Sequence, residues 1–435
     1  MGDTLRSQTI STKLQRIAEQ ARAYPETAFT TLVHLIDEAY LREAFDRLNR
    51  GAAPGVDGVT MKEYAKNLEA NLADLYERLR SKQYRATPVK RIWLDKADGR
   101  KRPIGITTLE DKIVQRAVVM ILEAIYEEEF YDFSYGFRPG RNPHQALHEL
   151  RERCMGMNGG WVIDVDVQGY FDNIPHGKLI EVVKERVNDG GMIRLIGKWL
   201  NAGVMEEGSV SYAEKGTPQG GVISPILSNI YLHHVLDRWF VEEVKPRMKG
   251  EAYLIRYADD AVIVCELEED AKRIMRVLPK RFGRFGLTVH PKKTKLVRFK
   301  RPGGGDDGKG NGTFDFLGFT HYWTKSRRGY WVVKRKTIGK RMRRAIKGFW
   351  QWCRENMHEP IKEQYKKLSQ KLRGYYQYYA IRGNYRALER VYESVRRAWH
   401  YWLRRRDRRK ALTWERYEEM LDLFLLPRPR IIHAI

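Results

Sequence analysis

The spacing of apolar residues changes along the chain, and the changes divide it. Over residues 1–50 apolar positions recur at three- and four-residue steps (Leu14, Ile17 and Ala18, then Leu32, Leu35 and Ile36), which predicts helices with one buried face. Gly51-Ala52-Ala53-Pro54-Gly55-Val56-Asp57-Gly58 is dense in turn formers, and helical text resumes over 61–79. Residues 89–94 and 102–106 read as two strands around the turn Lys96-Ala97-Asp98-Gly99. Helices are predicted over 109–130 and 144–153, with the loop 134–141 between them. Then Trp161-Val162-Ile163-Asp164-Val165-Asp166-Val167 alternates strictly, a strand carrying two carboxylates on one face. Helical text returns over 178–202, a Gly/Pro turn occupies 216–221, and a helix is expected over 225–240. The apolar runs 252–257 and 261–265, hinged at Asp259-Asp260, read as a hairpin. A helix is expected over 271–285 and short strands over 287–289 and 296–299. Residues 303–312, rich in Gly, Asp and Lys, read as a surface loop without chemistry of its own. After 314–319 the text is mostly helical to the end. The expected fold class is therefore α+β, closing with an α-helical quarter.

Composition refines this picture. A chain of 435 residues suits two or three compact units. Its 42% hydrophobic content supplies a sizeable core and excludes wholesale disorder. Lys plus Arg number 80 against 55 Asp plus Glu, a net charge of +25, and the excess is localised. Residues 321–435 carry 31 cations and 10 anions, a net of +21, whereas the first 320 carry 49 and 45. The same quarter holds 7 of the 11 Trp. A basic, aromatic-rich end on a near-neutral body points to nucleic acid, with an anionic membrane as the weaker option. Cys154, Cys265 and Cys353 form no CxxC pair, which argues against structural zinc and a disulfide framework. No signal-peptide run and no stretch near the ~18 apolar residues of a membrane span occurs, so a reducing intracellular setting without membrane partners is expected.

Candidate chemistry lies on two elements, the strand with Asp164 and Asp166 and the hairpin tip Tyr257-Ala258-Asp259-Asp260. An isolated Asp-Asp is commonly a turn former. Here apolar runs on both sides hold the tip, and a second acidic strand lies upstream. Side by side they would converge three or four carboxylates, whose mutual repulsion calls for a cation. Few, hard oxygen ligands favour Mg²⁺. Two such ions roughly 3.5–4 Å apart would activate a hydroxyl and stabilise a leaving pyrophosphate.

These residues resemble the reverse transcriptases. Tyr257-Ala258-Asp259-Asp260 is similar to their YxDD box, and Asp166-Val167-Gln168-Gly169-Tyr170-Phe171-Asp172-Asn173-Ile174 to their first catalytic block. Gly216-Thr217-Pro218-Gln219-Gly220-Gly221-Val222-Ile223-Ser224-Pro225 resembles the block between them. Arg102-Pro103-Ile104-Gly105-Ile106 and Tyr135-Gly136-Phe137-Arg138-Pro139-Gly140 resemble the finger blocks. Order and spacing agree, and the variants resemble those of bacterial group II intron maturases over roughly residues 45–425.

The resemblance implies a right-hand polymerase with fingers, palm and an α-helical thumb. The implied domains are a helical extension with a template-lid loop (1–60), fingers (61–160), palm (161–325), thumb or maturase domain X (326–410) and a short nucleic-acid-binding tail (411–435). It implies Asp166, Asp259 and Asp260 as catalytic, metal-binding carboxylates, with the Val167 carbonyl completing a site for two Mg²⁺ ions. Asp164 stands where many relatives carry an acid or a small residue, and a solvated or paired strand carboxylate is the alternative. Asp172 reads as a helix cap. Phe171 matches the sugar gate that selects deoxynucleotides, and Gln219 the nucleotide-pocket amide. Lys96 and Arg102 match the triphosphate-gripping cations. Lys293 matches a proton donor to pyrophosphate, with Lys292 as its competitor. Phe316-Leu317-Gly318-Phe319 resembles the primer grip, and a plain tight turn is equally compatible.

In the basic quarter, Leu372-Arg373-Gly374-Tyr375-Tyr376 resembles the domain X signature. Arg343, Arg344, Lys366, Lys367, Arg396, Arg397, Arg404, Arg405 and Arg406 are the candidate RNA contacts, through phosphate and shape. The interleaved aromatics fit helix packing better than base stacking. Implied partners are a group II intron RNA, an RNA template with a DNA primer, dNTPs and target DNA, in a bacterial cytoplasmic ribonucleoprotein. The paired Cys and His of an endonuclease domain are missing, as in compact lineages. A domesticated relative in phage defence, spacer capture or repair is the alternative.

Overall fold

The computed structural model describes the chain outside residues 1, 96–100, 207–208, 213, 218–219, 304–310 and 407–411, with side chains from residue 7 onward. It is α+β, as the periodicities predict. The described strands are β1 (Val89–Asp95), β2 (Lys101–Ile106), β3 (Trp161–Val165), β4 (Val204–Glu206), β5 (Ser209–Ser211), β6 (Ala252–Tyr257), β7 (Asp260–Cys265), β8 (Lys295–Arg298), β9 (Phe314–Phe316), β10 (Phe319–Lys325) and β11 (Trp331–Thr337). They form three sheets, ordered β2-β1-β4-β5, β6-β7-β3-β8 and β11-β10-β9.

The central sheet β6-β7-β3-β8 is antiparallel throughout. One face buries Ile163, Val165, Leu254, Ala261 and Ile263 in the largest core, against the helices of the body. The helix Leu109–Tyr126 runs through that core, apolar around most of its circumference and capped by Thr108. The opposite face buries Val162, Ile255, Val262 and Val264 against Phe314, Phe316 and Phe319 of the β9–β11 sheet. A third core joins the C-terminal helices Gly339–Glu355, Ile361–Tyr379, Tyr385–Arg404 and Trp414–Leu423.

Several expectations are corrected. The helix expected over 61–79 is interrupted: Thr60 and Glu63 close a capping box at the start of Met61–Tyr64, a 3-10 turn follows over Ala65–Asn67, and a new helix begins at Leu68. Helical text over 178–202 divides at Asp189, whose carboxylate caps Gly190–Leu200. The helix Ser224–Leu232 passes into π-helical turns, His233–Arg238 and Phe240–Val244. Of the short strand expected over 287–289, only a bridge between Val289 and Val167 forms. The end of the chain is mostly helical as expected, but the helices begin only at Gly339, after β10 and β11 have paired with His321 opposite Arg335. The loop expected over 303–312 lies largely outside the described residues. Among the described residues no helix is long and apolar enough to cross a membrane.

Candidate active site

The register of β3 places the acidic residues. Asp164 pairs with Val262 and Val165 with Ala261, so the next step brings Asp166 level with Asp260. Alternation then sets Asp164, Asp166 and Asp260 on one face of the sheet, beyond the end of its apolar packing. Two bonds fix the Asp166 backbone: its N–H donates to Thr294 Oγ1 (3.2 Å) and its carbonyl accepts from His290 N–H (2.7 Å). Tyr257 and Asp260 are the last pair of the β6–β7 hairpin, leaving Ala258 and Asp259 as a two-residue turn. Ala258 holds φ at +55°, as the first position of such a turn requires, although a Cβ disfavours it.

The carboxylates raise one another. Desolvation by the surrounding protein, with Asp259 next, pushes the Asp260 carboxyl up to about 7 although solvent still reaches the side chain, and Asp164 and Asp166 add to it. Burial, then Asp166 and Asp315, pushes Asp164 up to about 6, so Asp164 belongs to the cluster. Asp259 is raised by burial and by Asp166, against the pull of its own backbone N–H and of Arg102. Lys293 Nζ sits 3.2 and 3.3 Å from the two oxygens of Asp166. Lys292 instead points its backbone N–H at His290 Nδ1 (3.3 Å). Among the described residues no three His, Cys, Asp or Glu side chains close into a metal-binding group. The donor set is oxygen only, with an ammonium held against Asp166. Such a set suits a hard divalent cation.

The other expected residues fall around this cluster unevenly. Phe171 is half-buried on the short helix Tyr170–Asn173, edge-on to Tyr170 at 5.4 Å. Its carbonyl accepts from Thr217 N–H (2.8 Å), which ties Gly216-Thr217 to the segment after β3. A Cβ on Gly220 would lie 2.7 Å from the Gly105 carbonyl oxygen, so the same loop also touches β2 of the fingers. Arg102 stands on β2 opposite Leu94 and acts electrostatically on Asp259. Lys96 and Gln219 lie outside the described residues. Val167 is buried at its bridge to Val289. Asp172 is not the cap expected of it: Gly169, at φ +54°, occupies that position. Phe316 to Phe319 form a two-residue hairpin turn, with Leu317 at φ +45° and Gly318 at +86°. The Tyr378 hydroxyl donates to the Leu317 carbonyl (2.7 Å) and braces it.

Of the basic candidates, Arg343, Arg344, Lys366, Lys367, Arg397, Arg404, Arg405 and Arg406 are exposed. Lys366 pairs with Glu363 at 2.7 Å. Arg405 lies over the Tyr401 ring at 4.0 Å. Arg396 differs, being partly buried and held by Glu393 and Glu418. Tyr376, Trp399 and Tyr417 are packed inside the helical core, as their spacing predicts. The tail from residue 412 onward is docked: Tyr417 and Leu421 are buried, and His433 pairs with the backbone of Ala380 and Arg382.

Sequence reading missed the support behind the hairpin. Arg256 and Asp237 are fully buried and doubly bonded, Nε to Oδ1 at 2.8 Å and the second arm to Oδ2 at 2.5 Å. Burial pushes the Asp237 carboxyl up, but Arg256 and then His233 outweigh it and hold the group below its ordinary range. Adjacent hydrophobic runs masked Arg256, and its partner is 19 residues away on a helix. The only available signal was a cation inside an otherwise apolar strand.

An antiparallel sheet with carboxylates on one face and a strained acidic turn, followed by a helical C-terminal region, fits the palm of a right-hand nucleotidyl-transferring polymerase. The profile of the reverse transcriptase (RNA-dependent DNA polymerase) family matches residues 94–321, just over half of the chain. The protein YkfC of Escherichia coli K12 is 33% identical over 327 residues, 66% of this chain and 84% of YkfC. The group II intron-encoded protein LtrA of Lactococcus lactis is 31% identical over 300 residues, 66% of this chain and 50% of LtrA. Nuclear intron maturase 2 of Arabidopsis thaliana is 29% identical over 179 residues, 32% of this chain and 24% of the relative. The chain belongs to the reverse transcriptase family, and the relatives it matches include proteins encoded by group II introns. It spans half the length of LtrA and less of the maturase.

Proposed function

We propose that this chain extends a DNA primer with dNTPs on an RNA template, and that it also grips a group II intron RNA and assists its splicing and retromobility. The observation that carries the first part is the convergence of Asp166, Asp259 and Asp260 at one end of the palm sheet. Bound Mg²⁺, as two ions, would supply the Lewis acid that lowers the pKa of the primer hydroxyl and neutralises the leaving pyrophosphate. Asp166, Asp259 and the Val167 carbonyl would hold these ions, with Asp260 adjoining. Arg102 and Lys96 would grip the triphosphate, and Phe171 would exclude a 2′-hydroxyl by contact. Gln219 would meet the nucleotide's sugar or base edge. Lys293, whose ammonium pairs with Asp166, would deliver a proton to pyrophosphate.

The exposed cations of the helical quarter support the second part, since a net of +21 over 115 residues is costly without a polyanion. Arg343, Arg344, Lys366, Lys367, Arg397 and Arg404 to Arg406 would meet RNA phosphates, whereas Arg396 holds neighbouring helices together. Target DNA would follow as a further ligand, and the setting would be a bacterial cytoplasmic ribonucleoprotein. Relatives named for introns and maturases do not favour the domesticated alternative. Primer extension on an RNA template tests the reading. dNTP incorporation that stops with chelator and returns with Mg²⁺ is expected; no template-dependent product under any divalent ion would overturn it.

A further inference from the structure

The Arg256 side chain lies on the face of the sheet opposite the carboxylates and touches no substrate surface. All arms of its guanidinium are nonetheless engaged. Two bonds reach Asp237, and the remaining arm donates to Asn229 Oδ1 (3.0 Å) and to the Ala258 carbonyl (3.1 Å). That carbonyl belongs to the left-handed residue of the catalytic turn, one position before Asp259. Asn229 passes the connection on, its amide donating to the Gly136 carbonyl (2.6 Å). Gly136 packs directly against the Ala258 backbone. The main chain closes the same circuit, since Arg256 N–H donates to Phe133 and Tyr135 N–H donates to Arg256, at 2.9 and 2.8 Å.

The helix behind is shaped for this task. Asn229 and Asp237 are eight residues apart, which at 3.6 residues per turn leaves them about 80° out of phase. The wider π turns over His233–Arg238 take up that surplus, and both side chains meet Arg256.

We propose that Arg256 is a positioning residue: braced by Asp237 and Asn229, it fixes the Ala258–Asp259 turn from behind, so that Asp259 and Asp260 are presented ready for divalent ions. This deepens the polymerase reading and rests on it. A plain fold anchor would serve stability alone. A bond to the turn carbonyl beside the catalytic aspartate adds a defined effect on the metal.

The test uses the full chain carrying Arg256→Lys or Asn229→Ala, with folding checked by circular dichroism. Asn229→Ala leaves the Arg256–Asp237 pair intact and decides the matter if Arg256→Lys does not fold. Mn²⁺ binding followed by electron paramagnetic resonance gives a readout independent of catalysis. Folded variants are expected to bind Mn²⁺ about 10-fold more weakly and to lose about 10- to 100-fold in kcat, as outer-shell partners of metal ligands do. The dNTP KM should hold within about threefold, and raised Mn²⁺ should restore part of kcat. Mn²⁺ affinity within twofold of wild type in a folded variant would overturn the proposal. Wild-type protein that binds Mn²⁺ but extends no primer would instead overturn the polymerase reading, with the Mn²⁺ comparison still deciding the role of Arg256.

Discussion

Gly136→Ala is the sharpest structural perturbation of the catalytic turn. A Cβ built on Gly136 lies 2.8 Å from the Tyr257 carbonyl carbon and 2.9 Å from the Ala258 Cα, and closer still to the Ala258 nitrogen. All three are backbone atoms, so no rotamer change relieves the overlap, and ordinary contact begins near 3.4 Å. Either the 133–136 loop or the catalytic turn must retreat by about 1 Å, a misplacement that costs about 10²-fold when reacting groups are held by it. The overpacking itself costs about 1–3 kcal/mol of stability. Thermal melts and single-turnover primer extension separate the two effects. A variant that is folded at assay temperature yet extends about 100-fold more slowly is expected. One that melts at a lower temperature but turns over at the wild-type rate would show that the loop does not set the turn.

His321 is fully buried and stacked on Phe314 at 4.7 Å, and among the described residues neither ring nitrogen makes a well-formed hydrogen bond. Burial, then Arg335, pushes it down to about 3, so the unfolded chain binds a proton that the fold refuses, and stability falls between about pH 6.5 and 3 by about 1.4 kcal/mol per unit. His321→Phe should remove that slope and add about 1 kcal/mol at neutral pH in denaturant melts at pH 7 and 5; an unchanged slope would contradict it. Asp260, raised to about 7, works in the other direction: the ion-free fold loses stability as pH rises from about 4 to 7. Solvent reaches this side chain, so Asp260→Asn should gain only about 1 kcal/mol at pH 8, while losing the stabilisation that Mg²⁺ gives wild type. Equal Mg²⁺ responses in thermal melts would remove Asp260 from the metal site. Replacing Arg404, Arg405 and Arg406 by Gln should flatten the slope of log affinity against log salt for structured RNA by about 2–3. An unchanged slope would place the RNA elsewhere.

The palm was legible because its strands obey a two-residue code with few exceptions. β3, β6 and β7 alternate or run apolar, and the exceptions, Asp164, Asp166 and Asp259-Asp260, include the three carboxylates proposed to carry the chemistry. β10 and β11 were misread because polar residues occupy their buried positions. The inward side of β10 reads Phe319 then His321, and that of β11 Val333, Arg335, Thr337, so no apolar stripe marks them. The π turns after Leu232 have no compositional signature, since the same side chains support either helix. The Arg256 circuit joins residues from Phe133 to Ala258, and partners so far apart in sequence leave no local pattern. Helix packing in the basic quarter was legible from spacing, but Arg396 was not distinguishable from its exposed neighbour Arg397. Glu418, which holds it, arrives from a different helix.

Template-directed chemistry at the acidic turn is tested most directly by comparing wild type with Asp259→Ala in Mg²⁺-dependent primer extension on RNA, at matched folding and matched RNA affinity. Loss of extension by at least about 10³-fold with RNA binding unchanged is the expected result, as for removal of a group essential to catalysis. Undiminished synthesis by the variant would contradict the assignment of the palm carboxylates as the catalytic centre.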